Sequence, residues 1–244
     1  MVRIWVRQTL DYDDAHAFDA QLLPEFRAQV ELWDALFEMP FRVFRSRVRA
    51  IARANLERVE GAEVSDWDDI PEGALVLPCD DDDWFAPHAA AAVERAAGAG
   101  VAGVRWQASF LEIPMDWRHE LGVWRARVLG PRPKFVCATN NYALRKSDDS
   151  REELRSHMRA GRWVRAQPPG TIPVLGERLS LMNRTLASQT SLGWNTAPRG
   201  RRNTMRKLPR YRRLYRRPLA AGLAWAQPYA DQMEALMGEL EPRR

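Results

Sequence analysis

The chain has 244 residues, 45% of them hydrophobic, so it can bury one sizeable core. It has neither the roughly 18 consecutive apolar residues of a membrane span nor the apolar segment of a signal peptide. Its two cysteines do not make a disulfide framework, so we expect a cytoplasmic protein. The net charge of +5 arises locally, because ten of the 37 Lys and Arg lie in residues 199–217, a segment without Asp or Glu, and the remainder is mildly acidic.

The first part of the chain predicts one strand followed by helices. "VRIWVRQTL" (2–10) is rich in β-branched and aromatic residues and predicts a strand. Apolar residues at helical spacing predict a helix from Pro24 and a second helix over residues 40–59. Asn55 lies on the apolar side of this second helix, where its amide can either bond to backbone or contact a ligand. The basic residues of the helix are placed elsewhere around it: Arg42, Arg45, Arg49 and Arg53.

A short apolar run, "ALVLP" (74–78), predicts a strand buried on both faces. "APHAAAAVERAAGAG" (86–100) then predicts a helix that glycine ends. Gly98, Gly100 and Gly103 match G-x-G-x-x-G, but they follow a helix and lead into a strand, the reverse of a dinucleotide-binding turn. We therefore interpret them as a helix stop.

The second half of the chain predicts mainly strands and then a terminal helix. Strands are expected over residues 101–113, 122–129, 134–146 and 178–185, and a helix over residues 150–161, which begins with Ser150 and Glu153 in capping-box spacing. After Asn195 the composition shifts to Pro, Gly and Arg, and a helix follows over 219–240, interrupted by Pro228. This order predicts an α/β fold, with a central mixed sheet flanked by helices over 1–195 and a basic helical extension over 196–244.

Four consecutive carboxylates, Asp80–Asp83, stand between the buried-type strand and the aromatic pair Trp84-Phe85. Adjacent ionised aspartates repel each other by up to about 1 kcal/mol in water and by more where water is excluded. Proton uptake or a bound cation relieves this repulsion, and hard carboxylate oxygens suit Mg²⁺, Mn²⁺ or Ca²⁺. Because open α/β sheets bind ligands at the carboxyl ends of their strands, this position favours a metal or ligand site over a solvated acidic loop.

"CDDDDWFAP" (79–87) resembles the D-x-D-D-W-x-x-P segment of glycosyltransferases with the GT-A fold, in which a strand ends in the D-x-D motif. "FVCATNNYALRKS" (135–147) resembles the strand with N-x-A-x-R-x-S that lies beyond the donor site in many of these enzymes. The closest resemblance is to a bacterial subgroup of rhamnosyltransferases. It implies a single GT-A-like, Rossmann-like domain.

The resemblance also implies roles for the residues that match these motifs. Asp82 would coordinate Mn²⁺ or Mg²⁺ together with Asp80, and Asp80 would also contact the ribose or sugar of the donor. Asp81 is the variable position of the motif and would lie beside the donor, whereas Asp83 would support the ion or the sugar hydroxyls during catalysis. Further donor contacts would come from Asn141 and Arg145, and Asn55 is a candidate for another.

The sequence departs from this family at two points. It lacks the P-x-Y-N start of the commonest members, which leaves the residues around the nucleobase unassigned. It also lacks a clear E-D pair for the catalytic base of inverting members. Asp149 is a candidate base, but Asp148 and Asp149 can equally open the helix capped by Ser150, so inverting and retaining mechanisms both stay open.

We thus expect an enzyme that moves a hexosyl or deoxyhexosyl group from a UDP-, GDP- or dTDP-sugar to an acceptor hydroxyl. The alternatives are a metal-dependent phosphohydrolase or phosphotransferase using the same aspartates, and a non-catalytic protein that binds through its basic tail. Residues 199–217 can cover the donor diphosphate, dock on an anionic membrane surface or bind nucleic acid. Leu208, Leu214 and two tyrosines form a helical apolar stripe there, which favours a membrane-surface or body-packed helix and makes nucleic acid the weakest interpretation.

Overall fold

The structure, a computed structural model, describes most of the amino-terminal half of the chain and parts of the remainder. The described residues are 1–7, 30–31, 33–98, 100–107, 109–112, 140–147, 154, 162–164, 166–168, 170–184, 219 and 221–243. They form the strands β1 (Val2–Arg7), β2 (Ala62–Val64), β3 (Leu75–Asp80), β4 (Trp84–Phe85), β5 (Gly103–Arg105), β6 (Phe110–Glu112), β7 (Tyr142–Arg145) and β8 (Ser180–Arg184). They also form the helices α1 (Phe41–Leu56), α2 (Ala89–Ala96) and α3 (Gln227–Gly238), and the short 3₁₀ helices Trp67–Asp69 and Ala221–Ala226.

The centre of the fold is a five-stranded mixed sheet with the order β2-β1-β3-β7-β5. β1 pairs in parallel with both β2 and β3, whereas β7 runs antiparallel to its neighbours β3 and β5. With the helices this confirms the expected mixed α/β class. Because β7 is reversed, its first residue lies at the edge of the sheet where β1, β3 and β5 end, and four strands therefore bring side chains to one edge.

A close approach of two backbones fixes the position of β5. A Cβ atom on Gly103 would lie 2.5 Å from the carbonyl oxygen of Ala143 and 2.6 Å from a methyl carbon of Leu144. No side chain fits in that space, so glycine lets β5 and β7 pair here. Gly103 thus has a structural role beyond the helix stop expected from the sequence. Gly100, with a φ of 81°, adopts the backbone conformation that glycine favours after a helix.

A second, three-stranded sheet with the order β4-β8-β6 adjoins the acidic turn. Trp84 and Phe85 form β4 and pair with Leu181 and Ser180 of β8. The two aromatic side chains point to different hydrophobic clusters, as alternate residues of a strand do. Since both are fully buried, they anchor the turn in the core and are not available to stack on a sugar.

The last helix belongs to the same core as the amino-terminal part of the chain. Met233, Leu236 and Leu240 are buried in one cluster with Phe44 of α1 and Trp84. Residues 221–243, the end of the helical extension expected over 196–244, therefore pack in the same core as α1 and β4. None of the described helices is long and apolar enough to cross a lipid bilayer. The basic segment 199–217 lies outside the described residues.

Candidate active site

The acidic segment forms a tight turn at the carboxyl end of β3. The backbone N–H of Asp83 donates to the carbonyl oxygen of Asp80 at 3.1 Å, which reverses the chain into β4. Asp81, Asp82 and Asp83 are only 8%, 6% and 3% exposed, while Asp80 is partly exposed. An ionised carboxylate is costly to bury without a partner, so this turn requires compensating positive charge.

Arginines of α1 supply part of that charge. Arg45 donates from one terminal nitrogen to Asp81 Oδ1 at 2.6 Å and from the other to Asp82 Oδ2 at 3.0 Å. Nε of Arg49 donates to Asp81 Oδ2 at 2.5 Å. Both oxygens of Asp81 are thus held by guanidinium groups one helical turn apart. Asp81 therefore ties α1 to the turn, which differs from the donor-facing position expected for it.

A third arginine reaches the turn from the neighbouring strand. Arg7 is the register partner of Asp80 in the parallel ladder, and its guanidinium forms a 2.9 Å ion pair with Asp80 Oδ1. Its other terminal nitrogen donates to the backbone carbonyl of Leu154 at 3.2 Å. Arg7 is itself buried, so it joins the ends of β1 and β3 to the backbone of Leu154.

Burial has a strong effect on the protonation of the turn. It raises the pKa of Asp82 to about 7, an effect that the Arg45 guanidinium opposes and the carboxylates of Asp81 and Asp80 reinforce. Burial likewise raises the pKa of the Cys79 thiol well above its ordinary value. Cys79 is therefore a protonated core residue and not a thiolate ligand.

Asp80 and Asp82 each have one carboxylate oxygen that no described contact uses. Among the described contacts, Arg7 bonds one carboxylate oxygen of Asp80 and Arg45 bonds one of Asp82, which leaves Oδ2 of Asp80 and Oδ1 of Asp82 without a hydrogen bond. The described residues contain no group of three or more His, Cys, Asp and Glu that could hold a metal ion. Two carboxylate oxygens are a donor set typical of Mg²⁺ or Mn²⁺ sites, in which the ion takes its other ligands from water and from substrate phosphates.

Two asparagines at the start of β7 lie at the same edge of the sheet. Asn141 donates from its side-chain amide to the carbonyl oxygen of Trp106 at 3.1 Å, so part of its hydrogen-bonding capacity holds β7 to the end of β5. Asn140 is fully buried, and neither polar atom of its side chain has a hydrogen-bond partner in the structure. A buried amide without partners is costly, so Asn140 is a further candidate for a ligand contact.

Arg145, another predicted site residue, lies away from this edge. The Arg145 guanidinium donates to the carbonyl oxygens of Val101 at 2.8 Å and Gly73 at 3.0 Å. Arg145 pairs with the first residue of β3, about 17 Å of strand away from Asp80, so the donor contact expected for it stays a prediction. Asn55 donates from its side-chain amide to the carbonyl oxygen of Ile51 on its own helix, while its buried Oδ1 has no hydrogen-bond partner in the structure, so both interpretations of this residue stay open. Asp149 lies outside the described residues.

A polar cavity of about 470 Å³ lies beside the same helix. Arg53, one turn beyond Arg49 on α1, lines it together with Asp66, which follows β2. Arg53 is about 6 Å of helix beyond Arg49, which bonds Asp81, whereas Arg3 is about 13 Å of strand before Arg7, the partner of Asp80. The other lining residues are Arg3, Glu63, Val64, Ser65 and Asp69.

Reasoning from the sequence missed the arginines of this site. Relief of the carboxylate repulsion was expected from protons or a metal ion, whereas the structure adds ion pairs from β1 and α1. The four-residue spacing of Arg45, Arg49 and Arg53 was a usable signal, because it places three cations on one side of a helix.

Comparisons of the chain with family models, with curated proteins and with solved structures find no match.

Proposed function

We propose that this protein is a glycosyltransferase that uses a nucleotide-sugar donor and a divalent cation, Mn²⁺ or Mg²⁺. The observation that supports it most is the buried acidic turn at the end of β3, in which Asp80 and Asp82 keep carboxylate oxygens for an ion. The two segments that resemble GT-A enzymes are also carried on adjacent strands, since β3 and β7 are hydrogen-bonded neighbours in the sheet. On this proposal the domain is GT-A-like.

The donor would lie along α1, from the acidic turn to the polar cavity. The cavity volume is within the range of small-molecule sites, and its carboxylate and hydroxyl groups suit the hydrogen-bonding edges of a nucleoside. The diphosphate would then lie near Arg49 and Arg45, whose guanidinium groups match phosphate geometry. The sugar would reach the edge where Asp83 and Asn140 are buried.

Cleavage of the sugar–phosphate bond leaves charge on the departing diphosphate. A divalent ion held through Asp82 and Asp80 would neutralise that charge as a Lewis acid when bound. The chain itself contributes three things: Arg7 and Arg45 fix the carboxylates in place, the turn excludes water from Asp82, and Asn140 can bond to the donor. The acceptor hydroxyl would approach from the open side of the same edge.

A thermal-shift screen of UDP-, GDP- and dTDP-sugars, with and without Mn²⁺, tests this proposal. A donor at about 100 times its dissociation constant adds about 2.7 kcal/mol of stability, which raises the Tm of a chain of this size by roughly 5–10 °C. We expect such a rise for one class of donor, only with the metal, and its loss in Asp82→Asn. Asp231→Asn makes the same change at an exposed position of α3 and should keep the shift.

Product analysis of the active donor distinguishes transfer from phosphate chemistry. A glycosyltransferase releases the intact nucleoside diphosphate and passes the sugar to a hydroxyl or to water, whereas a phosphohydrolase releases inorganic phosphate or a sugar phosphate. The ³¹P NMR spectrum of the products identifies which bond breaks. Failure of every nucleotide sugar to raise the Tm, in the presence of Mn²⁺, would show that the proposal is wrong.

A further inference from the structure

Arg45 occupies the position from which a cation would neutralise Asp82. Its side chain is 4% exposed and bridges two carboxylates, with one terminal nitrogen on Asp81 and the other on Asp82. The Oδ2 oxygen of Asp82 is therefore already paired with a guanidinium group of the chain itself. A divalent ion that approaches Asp82 must share this carboxylate with Arg45 or displace it.

Displacement of Arg45 from Asp82 requires a new partner for the guanidinium. Arginine stays charged at any accessible pH, and an unpaired guanidinium is strongly disfavoured in a buried position. Asp81 cannot take over the whole guanidinium, because Arg49 already occupies its second oxygen. A diphosphate can, since phosphate oxygens accept bidentate hydrogen bonds from arginine.

We propose that Arg45 is a resident counter-ion of Asp82, which makes tight binding of a divalent cation at the acidic turn depend on a diphosphate. The metal would take the carboxylate oxygens while the diphosphate takes the released guanidinium and completes the metal's coordination. The ion and the nucleotide would thus bind together, and the ion alone only weakly. This inference rests on the proposed function for the identity of the nucleotide. The role of Arg45 in it can be tested by the binding of the metal ion alone.

Direct measurement of Mn²⁺ binding to the full-length chain tests the inference without any assay of activity. The EPR signal of free Mn²⁺ gives the affinity at pH 8, first with Mn²⁺ alone and then with UDP, GDP or dTDP, against protein-free mixtures of the same composition. We expect the wild-type chain to bind Mn²⁺ at least tenfold more tightly with one nucleoside diphosphate than without. Arg45→Met, which removes the charge and keeps the length, should bind Mn²⁺ alone at least tenfold more tightly than wild type.

The control is Arg47→Met, which makes the same change two residues away, at a half-exposed arginine paired with Glu239. It should bind Mn²⁺ alone as weakly as the wild-type chain does. Equal affinities for Mn²⁺ alone in wild type and Arg45→Met, or no binding to either, would overturn the inference. If Arg45→Met does not fold, the wild-type measurement decides, because tight binding of Mn²⁺ without a nucleotide contradicts a resident counter-ion.

The two proposals fail in different ways. If no nucleoside diphosphate binds at any Mn²⁺ concentration, the nucleotide-sugar function is wrong, while the comparison of Arg45→Met with wild type still decides the role of Arg45. If nucleotides bind with Mn²⁺ but Arg45→Met leaves the affinity for Mn²⁺ alone unchanged, the function stands and the counter-ion inference is wrong.

Discussion

Arg7 and Asp80, the last residues of neighbouring parallel strands, are register partners and form a 2.9 Å ion pair at the edge of the sheet. Replacement of Arg7 by Met should leave Asp80 without its buried partner and lower the free energy of unfolding by roughly 2–3 kcal/mol, less than for a fully buried pair because Asp80 is partly exposed. Urea denaturation followed by circular dichroism measures this change.

The control for Arg7→Met lies on the same strand. Arg3 pairs with Glu63 at 2.7 Å, but the Glu63 side chain is 67% exposed. Arg3→Met should therefore cost less than about 1 kcal/mol, as exposed ion pairs do. Similar losses for the two variants would show that the Arg7–Asp80 pair has no special part in holding β1 to β3.

The raised pKa of Asp82 predicts a pH dependence of stability. The folded chain keeps a proton on Asp82 up to about pH 7, whereas the unfolded chain releases it near the ordinary value of 3.8. The contribution of Asp82 to the free energy of unfolding is fully present below pH 3.8 and is lost as the pH rises through 7. The reason is that the folded state binds more protons than the unfolded state between these two pH values. Asp82→Asn removes the titrating group and should be relatively more stable above pH 7.

Free energies of unfolding of wild type and Asp82→Asn, measured by urea denaturation without metal between pH 4 and pH 8, test this dependence. The difference between the two curves isolates Asp82, since the other titrating groups are common to both. Stability of the wild-type chain should fall relative to the variant across this range. Parallel curves, or a difference of the opposite sign, would contradict a raised pKa for Asp82.

Two elements that rest on local patterns in the described part of the chain were well predicted from the sequence. The apolar run before Asp80 and the helical spacing in residues 41–56 gave β3 and α1 within a few residues, because burial on known faces is encoded in short windows. Residues 101–113, expected as one strand, instead form β5 and β6. Trp106 separates them, and its indole N–H donates to Ser180, a partner 74 residues away that no local pattern reveals.

The position of the candidate site was predicted from the sequence, but the arginines that balance its charge were not. A run of aspartates after a buried strand located the turn, since strand ends are where α/β sheets expose polar groups. The charges that balance it come from Arg7 and Arg45, which are 73 and 36 residues from their closest acidic partners. Charged residues on a helix are usually solvated, so the spacing grouped the arginines on one side of α1 but did not show that Arg45 and Arg49 turn inward while Arg53 stays exposed.

Gly103 should not tolerate a side chain. Alanine there would place a Cβ atom 2.5 Å from the backbone oxygen of Ala143, and a backbone atom cannot move away as the end of a side chain can. We expect Gly103→Ala to lower the free energy of unfolding by at least about 1–3 kcal/mol, as overpacking does. The control is Gly98→Ala, which meets nothing within 4 Å and should change stability by less than about 0.5 kcal/mol. Urea denaturation measures both, and equal stabilities would contradict the close pairing of β5 and β7.

Arg145 should affect stability and not ligand binding. Its guanidinium bonds to the carbonyl oxygens of Val101 and Gly73, which joins the loops before β5 and β3. Arg145→Met should cost about 2 kcal/mol of stability, because these hydrogen bonds come from a charged donor. The affinity for a nucleotide with Mn²⁺, measured by calorimetry, should stay within twofold of wild type. Loss of that affinity in a folded Arg145→Met variant would instead support the donor contact that the sequence suggested.

The packing of α3 predicts that the carboxyl-terminal helix folds together with the body. Met233 is fully buried in a cluster with Phe44 and Trp84, so Met233→Ala should lower the free energy of unfolding by about 2–4 kcal/mol. Asp231→Ala, at an exposed position of the same helix, should change it by less than about 0.5 kcal/mol.

Near-ultraviolet circular dichroism and tryptophan fluorescence both report on the ten tryptophans, nine of which precede residue 221, and far-ultraviolet circular dichroism reports on the helices. In Met233→Ala the three signals should change in one transition, shifted to lower urea than in wild type, because α3 and α1 share one core. A transition of α3 that precedes the loss of the tryptophan signals would instead make residues 221–243 a separate unit. A truncation before residue 221 should accordingly destabilise the whole chain, so the function of the basic segment is better tested by replacing its arginines than by deleting the terminus.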